Sequence, residues 1–229
     1  MCLIKQRANN PEQKALRRQQ ILGATRIRFQ TLSYEEVNLN HVAADIGITK
    51  AALYRYFRNK ETLFLALFVE ALNELVHYSE QALKQNLETQ EALAHVVTKS
   101  LVENPVYCKL SAILHTILER KLTLDEANQF KQQLLTLMGQ YSRLLGQYPE
   151  FKPPITTQNN SKSSISDNTR AISYLMQVQQ ALIGVWHMTH PTGAIAQVIE
   201  VAPLNIFKQD FSESLLAHII KITDTQIDR

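Results

Sequence analysis

Apolar residues in this chain recur at intervals of three and four rather than two, the spacing of helices that turn one face inward. From Gln13 to Thr31, Leu16, Ile21, Leu22, Ala24 and Phe29 make such a face, while Lys14, Arg17, Arg18, Arg26 and Arg28 cover the others. Leu39, Val42, Ala43 and Ile46 predict a short second helix, followed by Gly47, a residue that tolerates the positive φ needed just past a helix end. Thr49 can cap a third helix, roughly Lys50 to Phe57, with Leu53 and Phe57 directed to the core. Lys50, Ala51, Tyr54, Arg55 and Tyr56 are left for another face, which is basic and aromatic.

The same periodicity predicts the remaining elements. Asn59 caps a long helix whose stripe of Phe64, Phe68, Ala71, Leu75, Tyr78 and Ala82 runs to about Gln85. Another helix covers Glu91 to Glu103, and Pro105 starts the next, packed by Val106, Leu110, Ile113, Leu114, Ile117 and Leu118 and closed by Arg120 and Lys121. Thr123 and Glu126 form a capping box that opens a helix reaching Leu145. The polar, proline-bearing stretch 149–169 reads as a loop. Helices resume over Ala171 to Thr189 and Ala194 to Val201, and a last one, capped within Asp210 to Glu213, uses Leu215, Leu216, Ile219, Ile220 and Ile222. Gly184 inside the first of these costs about 1 kcal/mol against alanine, which a close helix approach offsets.

The fold class is therefore all-α, with three parts: a flexible basic arm at 1–12, a three-helix helix-turn-helix unit at 13–58, and a larger helical domain at 59–229. The arm either reaches toward a minor groove or does nothing specific. With 6 glycines and 7 prolines in 229 residues, and 45% apolar residues, a buried helical core is expected and strands are not. The net charge of +3 hides an asymmetry. Residues 1–60 hold 11 Lys/Arg against 4 Asp/Glu and the rest hold 13 against 17, so an excess of +7 lies over the first sixty residues, which include the helix-turn-helix unit. Such a patch suits phosphate binding, although a solvated charged surface has the same composition. Neither a signal peptide nor a membrane span is legible, and two cysteines without metal or disulfide spacing fit a reducing cytoplasm.

Any two short helices joined at a glycine share part of this pattern. The fuller string over Val37 to Phe68, VNLNHVAADIGITKAALYRYFRNKETLFLALF, goes further: it closely resembles the DNA-binding domain of the TetR (tetracycline-repressor-like) transcriptional regulators, over about Arg18 to Phe68. The resemblance implies a homodimer on double-stranded DNA, with paired third helices in successive major grooves. Arg55 is then the residue for base readout, among Lys50, Ala51, Ala52, Tyr54 and Tyr56, while Tyr54, Tyr56 and Lys60 contact phosphates and Asn38 and Thr49 assist from helix starts. Relatives usually carry a glycine and an aromatic at the end of the first helix. Here Leu32, Ser33 and Tyr34 stand there, so the turn must be built differently.

By the same resemblance the last two long helices, 172–188 and 211–222, form the dimer interface; the alternative is that both faces finish the monomer core. The resemblance also implies a pocket for a small-molecule effector of unknown identity, with Tyr78, Tyr107, His115, Phe130, Tyr141 and Trp186 as candidate liners. Plain core aromatics have the same spacing.

Catalysis is the competing class, and the sequence offers no phosphate loop, paired acids or activated nucleophile. His187 and His190 stand three apart, compatible with joint metal ligation but without a third ligand nearby, and read more simply as a helix-end pair. Cys108 and His115 are seven apart, and Cys108 reads as a small buried residue. No catalytic residue, metal or cofactor is expected beyond the effector. The leading expectation is a ligand-responsive regulator, of the repressor kind, on a pseudo-palindromic operator. The alternative is a DNA-bound interaction protein of the same fold that recruits or blocks another protein.

Overall fold

The computed structural model describes residues 10–84, 89–148, 151 and 169–225. Every regular element among them is helical, as the periodicity predicts. In chain order these are α1 (Pro11–Thr31), α2 (Leu39–Asp45), α3 (Lys50–Leu53), α4 (Lys60–Leu83), α5 (Gln90–Val102), α6 (Pro105–Ile113), α7 (Leu124–Leu145), α8 (Thr169–Thr189), α9 (Gly193–Val198) and α10 (Phe211–Asp224). A π turn at Leu114–Leu118 extends α6, and a 3-10 turn at Leu204–Phe207 precedes α10.

Helix starts follow local chemistry. Asn38, Thr49, Asn59, Thr123 and Asp210 each accept a hydrogen bond from a backbone N–H two or three residues on. α1 begins earlier than expected, at Pro11, because Asn10 accepts from the Gln13 amide at 2.7 Å and proline suits the first helical position. Asn10, Pro11 and Glu12, counted with the arm, thus belong to the start of α1, and residues 1–9 lie outside the described residues. Of the stretch 149–169 expected as a loop, Thr169 belongs to α8; 149–150 and 152–168 lie outside the described residues.

α1, α2 and α3 close over α4 around Ile21, Leu22, Phe29, Val42, Leu53, Phe64 and Phe68, all buried. Phe29 meets Phe64 edge-on at 5.1 Å between ring centroids. Each such side chain contributes roughly 1.5–3 kcal/mol relative to exposure, so the small N-terminal unit depends on α4 for its core. In the larger half α10 packs on α5 and α8, and α4 on α5 and α7. The expected unbroken helix from Pro105 to Lys121 is interrupted instead. At the π turn the Glu119 amide reaches back to the Leu114 carbonyl at 3.0 Å, five residues away, so one extra residue is accommodated in the turn.

Candidate nucleic-acid interface and effector cavity

The reader is built from two capped helices and one glycine. Asn38 accepts from the Asn40 amide at 2.8 Å to start α2. Gly47 has φ of +66° and nothing within 4 Å of where a Cβ would sit, so backbone conformation rather than space requires glycine there. Thr49 then accepts from the Ala52 amide at 3.1 Å. α3 is shorter than the predicted Lys50–Phe57. Its last turn is tightened by bonds from Arg55 to the Ala52 carbonyl and from Tyr56 to that of Leu53.

The two predicted core positions, Leu53 and Phe57, are buried, whereas Lys50, Ala51, Tyr54 and Arg55 are exposed and Ala52 and Tyr56 half-buried. The predicted face therefore exists as a surface. Lys60 behaves differently. Its ammonium lies 4.4 Å from the Tyr34 ring centroid and donates to the Glu35 carbonyl at 3.4 Å, and burial lowers its pKa. The side chain rests against the corner before α2 rather than standing free beside α3.

That corner contains the serine where relatives carry glycine. Leu32, the last residue before it, is extended with φ of −105°. Ser33 and Glu36 close the turn reciprocally instead: the Ser33 amide donates to the Glu36 carboxylate at 2.7 Å and the Glu36 amide to the Ser33 hydroxyl at 3.3 Å. The signal was the Ser-x-x-Glu spacing itself, a capping-box pattern placed on a turn.

Two contacts that periodicity does not reveal tie the reader to the larger half. Lys109 on α6 donates to the carbonyls of Phe29 and Leu32, at 2.9 and 2.7 Å, and so occupies carbonyls at the end of α1. Arg58, just before α4, forms a two-point bridge to Glu126 at the start of α7 and also donates to the Lys121 carbonyl at 2.8 Å. Lys121 returns a bond to Glu61 at 2.7 Å, rather than serving its own helix end as expected.

Behind this clamp lies a cavity of about 150 Å³ among α4, α5, α6, α7 and α8. Tyr107, His115 and Tyr141 line it, together with Phe68, Lys131 and Gln179. The other three candidate liners lie elsewhere. Tyr78 stands one position off the stripe that Ser79 continues, and faces an outer groove with Asn73 and His77. Phe130 packs against Phe68 at 6.0 Å and lines a groove toward Arg58. Trp186 lies about two turns of α8 beyond Gln179 and stacks on His190 at 3.8 Å, with Phe211 edge-on. His187 turns instead to the Ala112 carbonyl, at 3.2 Å, and no metal-binding cluster of three occurs among the described residues. Cys108 is fully buried, and burial pushes its thiol up to about 12, which makes it an inert group.

Comparison with known proteins decides what this arrangement is. Residues 21–67 match the model of bacterial regulatory proteins of the tetR family, and residues 66–158 match the tetracyclin repressor-like C-terminal domain. The chain belongs to the TetR family. It is 25% identical over 191 residues to the nucleoid occlusion factor SlmA of Idiomarina loihiensis, covering 82% of this chain and 86% of that protein. It is 27% identical over 88 residues to the fatty acid metabolism regulator protein of Bacillus subtilis, covering 38% of this chain and 45% of that one, so less than half of that relative is matched. The fold resembles that of Thermus thermophilus FadR, a TetR-family transcriptional repressor solved with lauroyl-CoA, at a TM-score of 0.54 and 16% identity over 90% of this chain and 92% of that one. As a TetR-family member the chain is a DNA-binding transcriptional regulator and not an enzyme. Among its described residues no helix is long and apolar enough to cross a membrane.

Proposed function

We propose that this TetR-family regulator is a ligand-responsive repressor that binds a pseudo-palindromic operator as a homodimer in the cytoplasm. The observation that carries the reading is one loop serving two sites. His115 and Lys131 line the cavity, and both bond Glu119, at 2.8 and 2.6 Å. Two residues beyond Glu119, Lys121 and then Glu126 hold Arg58 and Glu61 at the base of the reader. A ligand that moves the π turn therefore acts on the hinge between α3 and α4. The ligand shifts the spacing of the two readers only by as much as it prefers one position of that hinge.

On DNA, Arg55 reads a base, Lys50, Ala51 and Ala52 approach the groove, and Tyr54, Tyr56 and Lys60 hold phosphates, with Asn38 and Thr49 at helix starts. α8 and α10 supply the dimer interface. Gly184 supports this: it is exposed, with no other helix among the described residues within 4 Å of a Cβ position, so the close approach that offsets a helical glycine falls to a second copy. Footprinting on genomic DNA tests the proposal. Protection of a two-fold site at a promoter, lost with Arg55→Ala, supports it; protection only at sites dispersed away from promoters overturns the repressor reading.

That second outcome would favour a DNA-bound factor that contacts another protein. The match to a nucleoid occlusion factor over 86% of its length supports this alternative, as does an exposed apolar run between α8 and α10 that includes Ile195, Val201, Ile206 and Phe207.

A further inference from the structure

The cavity contains polar groups whose hydrogen-bonding is incomplete. Tyr107 on α6 donates its hydroxyl to Gln179 Oε1 at 2.8 Å, which orients the amide and commits its oxygen. The other end of that amide, Nε2, is buried with no acceptor among the described residues. Leaving such a donor unpaired is unfavourable, a cost that a ligand oxygen would relieve. Tyr141, on the same wall, accepts from the buried Ser79 hydroxyl at 3.0 Å and so keeps its own hydrogen to donate. Two neutral donors thus line a space otherwise walled by Phe68, Leu72, Leu75 and Val97.

Size and charge narrow the ligand further. A space of about 150 Å³ accepts a body near the size of one aromatic ring. The lysine at the rim is already engaged, since Lys131 bonds Glu119, which also meets His115. Burial works upward on the Glu119 carboxyl, but these two partners hold it below its ordinary range, so the rim keeps its own anion. Deeper in, the phenols of Tyr107 and Tyr141 are both raised by burial and remain neutral donors. An anionic ligand group would lose its water without gaining an unengaged cation.

We propose that the cavity takes a small, uncharged and mostly apolar compound, about one ring in size, whose carbonyl oxygen accepts from Gln179. This rests on the reading of the cavity as the effector site and adds the chemistry it selects.

Three probes of similar size test it by titration calorimetry on the full chain at neutral pH: acetophenone, ethylbenzene, which lacks the oxygen, and benzoate, which is charged. Acetophenone is expected to bind about tenfold tighter than ethylbenzene, as one buried hydrogen bond implies, and benzoate more weakly than either. Gln179→Leu should bring acetophenone down to the level of ethylbenzene while leaving ethylbenzene nearly unchanged. If that variant fails to fold, Tyr107→Phe, which releases the amide from its fixed orientation, should narrow the same gap. Equal binding of acetophenone and ethylbenzene to the unaltered protein, preference for benzoate, or binding of none of the three overturns the proposal. DNA affinity is measured separately, on a duplex recovered by footprinting. Selective binding of acetophenone with unchanged DNA affinity upholds the ligand class and sinks the ligand-responsive reading, so the two fail independently.

Discussion

Arg58 and Glu126 are 68 residues apart in the chain and meet in a two-point bridge, Nε to Oε1 at 2.8 Å and Nη2 to Oε2 at 2.7 Å. Glu126 at the same time accepts from the Thr123 amide at 2.9 Å, so one carboxylate both caps α7 and holds the base of the reader. Movement at either end of this contact is felt at the other.

The bridge has a pH signature. Arg58, with the Thr123 amide, holds the Glu126 carboxyl down at about 2, against an ordinary value of 4.5. Because the folded-state value is the lower one, the stabilisation is complete above the ordinary carboxylate range and is lost as pH falls from there toward 2. Glu126→Gln should therefore lower the Tm at pH 7 by an amount that shrinks as pH drops below 4.5. Thermal unfolding of both proteins from pH 7 to 3 checks this, and a gap independent of pH would remove the carboxylate from the account.

Arg55 and Lys60 separate by function. Arg55→Ala should cost about 1–3 kcal/mol in operator binding and relax preference at one base pair. Lys60→Ala should weaken every sequence alike and flatten the salt dependence. Binding to a panel of single-site operator variants at two salt concentrations distinguishes them; equal losses on every sequence would contradict the division of roles.

The Ser33–Glu36 turn replaces a glycine. Ser33→Ala removes the acceptor for the Glu36 amide and is expected to cost about 1 kcal/mol, the usual effect of losing such a cap. Denaturant unfolding measures it. A neutral effect would mean that water takes over the amide without loss.

At Gly47 the strain is confined to the backbone. Gly47→Ala should cost about 1–2 kcal/mol, since the left-handed conformation is unfavourable for alanine although nothing obstructs its Cβ. Gly47→Asn should cost less, because asparagine visits that region more readily. If the two variants unfold at the same denaturant concentration, positive φ is not what the position requires.

Much of this molecule is determined by neighbours in the chain. Helices and their caps depend on groups within four residues, so Asn38, Thr49, Asn59 and Thr123 could be named as caps from their positions alone, and the split of Leu53 and Phe57 from Lys50 and Arg55 follows from one helical period. Tertiary structure decided what depends on distant segments. Tyr107 and Tyr141 share one cavity while Trp186, equally apolar and equally periodic, stacks two turns away on His190, because periodicity specifies a face and not what packs against it. Lys109 closing the end of α1 and Arg58 bound to Glu126 have no local signature: a charged side chain on an outward face looks the same in sequence whether it meets water or a partner dozens of residues away.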